Sequence, residues 1–216
     1  MSFTSMSIEK SATRRRRRVP EEARREAIAS ARALLLKGGP DAVTLSAVAG
    51  EIGVTHANLI HHFGSAAGLQ SALMGSMVSD LTQALDEAIA RLKTDDGAPL
   101  ELVNAVFDAF DTGGAGRLAA WITLSGDLSH LEPVRAAVQN LVEAIADKMG
   151  AQDAQAREGV GAAVLFIALS AFGEALIGPP LRDMLNLPDG AGRRVVASLL
   201  PRFLIPKAPQ GAASAT

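Results

Sequence analysis

The chain has 216 residues, 48% hydrophobic and 4% aromatic, with no cysteine and no tyrosine. That excludes disulfides and thiolate metal sites and leaves room for a small module joined to a larger one, rich in the alanine and leucine that favour helix over sheet. Net charge is −2, but ten basic residues face six acidic ones up to Gly75, against eleven and seventeen beyond it. A basic head on an acidic body directs any polyanion to the head.

Residues 1–19 read as a disordered basic arm ending in Arg14, Arg15, Arg16, Arg17 and Arg18. The arm lacks an apolar core, so it is no secretory signal. Pro20 suits the first turn of a helix, and Glu21 and Glu22 complement its positive end. That helix runs to about Lys37, carries Ala27, Ile28, Ala31, Leu34 and Leu35 on one face, and stops at Gly38-Gly39-Pro40. Thr44 and Thr55 are predicted N-caps of two further short helices separated by Gly53. The second of these has Leu59, Ile60 and Phe63 as apolar anchors and closes at Gly64-Ser65. Three short helices, the third entered through a glycine turn, outline a helix-turn-helix over 20–66.

A long helix is expected from Ala66 to Lys93, with Leu69, Leu73, Met77, Leu81, Leu85 and Ile89 at every fourth position. Such a stripe winds around the helix, which suits an element packing first on the head and then on the body. Further helices are expected over about 99–111, 115–124, 133–149, 153–177 and 189–200, with Pro201 ending the last. The body spans 67–205, and 206–216 reads as a disordered tail. The most apolar stretch, Val160 to Phe172, falls short of the roughly 20 residues that span a bilayer and is followed by Glu174. A soluble, cytoplasmic, all-α protein without a membrane partner is expected.

The stretch from Gly39 to Ser65 resembles the DNA-binding domain of the TetR/AcrR regulators. The residues that carry the resemblance are Gly39 with Thr44 five positions on, the turn Gly53-Val54-Thr55, and the close Leu59-Ile60-His61-His62-Phe63-Gly64-Ser65. It extends from about Arg24 to Leu73. Two positions depart from the family: Ile60 stands where a phosphate-contacting tyrosine is common, and Ala66-Ala67 where a lysine often opens the long helix. The resemblance implies a three-helix DNA-binding domain followed by a larger helical ligand-binding and dimerisation domain.

A recognition helix places its first turns in the major groove. Here those positions hold Thr55, His56, Ala57 and Asn58, with Thr44 on the preceding helix. Asn58 can bond adenine at two points, Ala57 can meet a thymine methyl, and Thr55 can bond base or phosphate. His61 and His62 can donate to phosphates, more readily when protonated; the other reading has one packed inward and the other solvated. The five-residue spacing of His56 and His61, with no acid between, does not suit a metal site. The arginines of the arm suit a neighbouring minor groove or the phosphates, where neutralised charge releases counterions.

In the body, Phe107, Phe110, Trp121, Ile122, Leu124 and Phe166 are the candidate lining of a pocket for a small apolar molecule, with His130 or Asp127 as a cap. Aromatic residues at helical spacing are more often plain core; the resemblance favours the pocket. The segment from Gly159 to Ile177 is apolar nearly all round and must be covered on more than one side. The resemblance implies that it and the last helix form a four-helix dimer interface, with Gly161, Val164, Leu165, Leu169, Phe172, Val196, Leu199 and Leu200 as candidate contacts. The alternative is a helix buried within one subunit.

No catalytic triad, phosphate-binding glycine loop, metalloprotease motif or cysteine nucleophile is present, so an enzyme is not expected, and no cofactor. The expected function is a ligand-responsive regulator: a homodimer on a palindromic double-stranded DNA operator, released when a small-molecule effector shifts the long helix. The alternative is an architectural or adaptor protein that binds DNA without sensing a ligand.

Overall fold

The computed structural model describes residues 20–92, 94–126 and 131–204. The arm with Arg14 to Arg18, the tail, and the cap candidates Asp127 and His130 lie outside the described residues. The elements in order are α1 (Pro20–Gly38), one 3-10 turn (Pro40–Ala42), α2 (Leu45–Ile52), α3 (His56–Phe63), α4 (Ala66–Ala84) and α5 (Asp86–Arg91). The body continues with α6 (Ala98–Phe110), α7 (Ala115–Leu124), α8 (Glu132–Met149), α9 (Ala154–Met184), α10 (Ala191–Leu199) and α11 (Pro201–Leu204). No strand occurs among the described residues, and the fold is all-α with a helix-turn-helix at its head.

Two apolar cores organise these helices. The first joins Ala27, Ala31 and Leu35 of α1, Val48 and Ala49 of α2, and Leu59 and Phe63 of α3 to Leu69, Leu73 and Met77 of α4. Leu118 and Ile122 of α7 complete it. The second gathers Leu85 and Ile89 with Val103 and Phe107 of α6, Leu141 and Ile145 of α8, Ile167 and Ala171 of α9, and Val196 and Leu200 from the last turns. The every-fourth-residue stripe therefore divides: up to Met77 it packs on the head, and from Val78 and Leu81 it turns to the body. An interval of four residues advances the stripe about 40° per step, and that rotation carries it from one core to the other.

Two boundaries differ from the expectation. The long helix breaks at Leu85, whose backbone joins α4 to the short α5. Helix α9 continues through Gly178, Pro179 and Pro180 to Met184 instead of ending at Ile177. Arg182 holds this extension by pairing back to Glu174, two turns earlier, and forward to Asp189 at 3.3 Å. Pro201 does end α10, and it also opens α11, where a missing N–H costs nothing.

Candidate nucleic-acid interface

Helices α2, α3 and α4 each begin on a side-chain cap. The Thr44 Oγ1 accepts the Ala47 N–H at 3.1 Å and starts α2. Leu45, Val48 and Ala49 bury its inner face. Gly53 closes it with φ 65° and ψ 38°, a left-handed conformation that glycine adopts without the Cβ penalty. Two residues on, Thr55 Oγ1 accepts the Asn58 N–H at 3.2 Å and starts α3. Both hydroxyls keep their own proton to donate outward.

Helix α3 is anchored by Leu59 and Phe63, four residues apart and buried. Thr55, His56, Ala57, Asn58, Ile60 and His61 are exposed, and His62 is half-buried. Ala57 and Asn58 lie four and three residues before His61 and share the outer face with it. Ile60, expected among the apolar anchors, is 44% exposed on the helix surface. The candidates for base and phosphate contact are thus brought together on one surface, together with exposed Thr44 at the start of α2.

Contacts made by Arg24, Ser65, Gly68 and Gln70 hold that surface in place. Arg24 of α1 lies over the Phe63 ring at 4.9 Å and donates from Nη1 to the His62 carbonyl at 3.1 Å. It satisfies one of the carbonyls that a helix end leaves open. The Ser65 Oγ accepts the Gly68 N–H at 3.0 Å and caps α4. A Cβ at Gly68 would lie 2.0 Å from the Phe63 carbonyl oxygen, so α4 starts pressed on the last turn of α3. The buried Gln70 donates from Nε2 to the Val43 carbonyl at 3.3 Å, which ties α4 to the approach of α2 as well. The sequence offers Arg24 only as one more positive charge; its partners become visible once α1 and α3 are seen to cross.

Residues 27–73 match the family described as bacterial regulatory proteins, tetR family. Two solved structures share the fold over nearly the whole chain. One is a Mesorhizobium loti protein assigned to the TetR-family transcriptional regulators, at TM-score 0.56 and 15% identity, covering 87% of this chain and 97% of its own. The other is the multidrug binding protein EbrR complexed with ethidium, at TM-score 0.58 and 17% identity, covering 84% of this chain and 98% of its own. The head thus matches the tetR-family DNA-binding domain, and the chain shares the fold of both solved proteins. No curated protein matches it in sequence.

In the body the candidate pocket residues are not brought together. Phe107 is buried in the second core and Ile122 in the first, while Phe110 packs against both. Phe166 stacks on Phe203 with ring centroids 5.1 Å apart. Helix α7 turns Leu118 and Ile122 inward, so Trp121 is 38% and Leu124 85% exposed. A cavity of about 800 Å³ lies elsewhere, between the α5–α6 loop, the α8–α9 corner and the junction of α10 with α11. None of the six expected residues lines it.

The candidate dimer contacts also divide. Leu165 and Leu169 are exposed, and Gly161, Val164, Phe172 and Leu199 are half-buried. Val196 and Leu200, in contrast, are 5% and 1% exposed within their own subunit. They lie four apart on the inner face of the last helices and pack in the second core, so neither is free to meet a second copy. Val195, one residue away, is the apolar side chain that α10 presents outward, at 57% exposure.

Proposed function

We propose that the protein is a ligand-responsive repressor. As a homodimer it binds a palindromic duplex operator, and a small, mainly apolar effector bound in the body releases it. One observation carries the reading. The helical run from Ser65 to Leu92 is locked at one end to the recognition helix, where Gly68 lies on the Phe63 carbonyl. At its other end Leu92 is part of the cavity wall. Some 27 residues, broken only at Leu85, lie between the two ends, at most about 40 Å apart at 1.5 Å per helical residue. A ligand that fits the cavity in only one arrangement of this run biases the spacing of the two heads, and that differential affinity is what drives release.

The base-reading group is Thr55, His56, Ala57 and Asn58, with Thr44, His61 and His62 on phosphates. Pairing of two copies is supported by Leu165, Leu169, Phe172 and Leu176, which step along α9 at intervals of four, three and four. Leu165, Leu169 and Leu176 of that row are exposed. By length and composition α9 could also cross a membrane. Its opposite face, with Val160, Ala163, Ile167 and Ala171, packs in the second core of its own chain. We therefore read α9 as the pairing helix of a cytoplasmic protein.

Selection of random duplex DNA by the full-length protein at near-physiological salt tests this function. Enrichment of a palindrome with half-sites about one DNA turn apart is expected. Enrichment of nothing, with binding lost as salt rises, would replace the repressor with a non-specific DNA binder.

A further inference from the structure

We propose that Ile60 reads the C5 methyl of a thymine in the major groove, beside Ala57. The inference rests on the reading of α3 as a recognition helix, and it adds a residue whose only chemistry is apolar contact. Ile60 is 44% exposed. It stands outside the first core, which α3 enters through Leu59 and Phe63. Among the described residues of the head, one other large apolar side chain is exposed, Leu36. That one lies toward the body, since a Cβ at Gly114, where α7 begins, would be 3.4 Å from Leu36 Cδ2. Ile60 is thus the large apolar side chain that the recognition helix itself presents outward.

Its place on the helix directs it to the groove. Ile60 follows His56 by four residues and Ala57 by three, which makes both its neighbours on the helix surface. Side chains on a helix lean toward its N-terminus, so Ile60 covers the turn that carries His56 and Ala57. That first turn is the part of a recognition helix that enters the major groove. Ala57 is exposed and small, and leaves a shallow apolar step beside the larger side chain.

Chemistry then selects the partner. Isoleucine carries no side-chain donor or acceptor, so it bonds neither a phosphate nor a base edge. The apolar feature that distinguishes one base pair from another in the major groove is the thymine methyl. A β-branched side chain holds one dominant χ1 rotamer in a helix, so little freedom is lost when a methyl covers it. Apolar area on both partners then leaves water. A polar base edge in the same place would lose its water without gaining a bond, and that cost turns the contact into discrimination.

The test starts from the palindrome that the full-length protein selects. Each thymine of a half-site is replaced in turn by deoxyuridine, which removes the C5 methyl alone, and affinity is measured for the parent and for Ile60→Ala. At one thymine per half-site the parent should lose about fourfold, the worth of burying one methyl-sized group. Ile60→Ala should lose less than twofold there. Each protein is compared with itself on two duplexes, so a general loss of stability cancels. Ile60→Val, which keeps the branch, should retain a methyl effect above twofold. A repeat selection by Ile60→Ala should relax the preference for thymine at that position and leave the others unchanged. A half-site without thymine, a parent indifferent to every methyl, or a methyl effect above twofold in Ile60→Ala would overturn the proposal. In that last case the methyl meets Ala57 and Ile60 touches only sugar. The two readings fail differently. If no sequence is enriched, the operator reading falls and takes this one with it. If a palindrome is enriched but is indifferent to its thymine methyls, the operator reading stands and only the role of Ile60 falls.

Discussion

Arg24 and Phe63 face each other across the crossing of α1 and α3, guanidinium over ring at 4.9 Å, and the same side chain holds the His62 carbonyl. A cation in the basic head is thereby engaged within the protein, where it fixes the last turn of the recognition helix. A cation over a ring contributes about 0.5–1 kcal/mol at a partly exposed site, and a net hydrogen bond about 1 kcal/mol. Arg24→Met should weaken operator binding several-fold and leave the salt slope of that binding unchanged, because no phosphate contact is lost. Arg24→Lys should recover part of the affinity through the ring contact. A slope reduced by about one in Arg24→Met would instead mean that Arg24 meets a phosphate.

Asn58 and the arginine arm should separate cleanly in the same assay. Asn58→Ala is expected to cost about 1–3 kcal/mol against the preferred base at one position of each half-site, with the salt slope intact. Replacing Arg14 to Arg18 with serine should lower the slope, by up to about 0.9 for each phosphate contact removed, and leave the selected sequence the same. A change of sequence preference in the serine variant would mean that the arm reads the groove.

Gly68→Ala tests the junction of α3 and α4. The added Cβ would lie 2.0 Å from a backbone oxygen, and backbone cannot step aside as a flexible side chain does. Overpacking of this kind costs about 1–3 kcal/mol, equivalent to a melting temperature lower by several degrees in a chain of this size. Unchanged melting would show that α4 can start elsewhere at no cost.

Leu165→Glu with Leu169→Glu places two carboxylates on the exposed row of α9. If that row pairs two copies, light scattering at micromolar concentration should report half the mass of the parent protein, with helicity retained. A parent and variant of equal mass would remove α9 from the interface.

Leu118→Ala removes a fully buried side chain that α7 inserts into the head. Large-to-small changes of this sort cost about 2–5 kcal/mol. DNA binding should therefore weaken on warming in a variant altered some 55 residues beyond the recognition helix, in proportion to lost stability. Binding as heat-resistant as the parent's would mean the head does not depend on α7.

The head was largely legible because its information is local. Thr44 and Thr55 sit where caps belong, Gly53 where a left-handed turn is required, and Leu59 and Phe63 one turn apart on the buried side. The stripe of α4 was legible for the same reason: its period is written in consecutive turns. The body was not, since which face of a helix is covered depends on where other helices lie. Val196 and Leu200 read as candidate pairing residues and Trp121 and Leu124 as pocket lining, yet the orientations of α10 and α7 reverse both. The continuation of α9 through Pro179 and Pro180 depends on Arg182 reaching Glu174 and Asp189, a contact no propensity encodes. The cavity was missed because its walls come from three loops and corners, where sequence periodicity carries no signal.

Leu118 and Ile122 enter the chain long after the recognition helix whose core they complete. A ribosome making this protein releases α1 to α3 well before the side chains that close the head have been polymerised. Until α7 emerges, Leu35, Leu69 and Leu73 lack part of their cover, and the nascent head cannot reach its final stability. The order of synthesis thus delays a fully formed head surface until the body it packs against is already under construction.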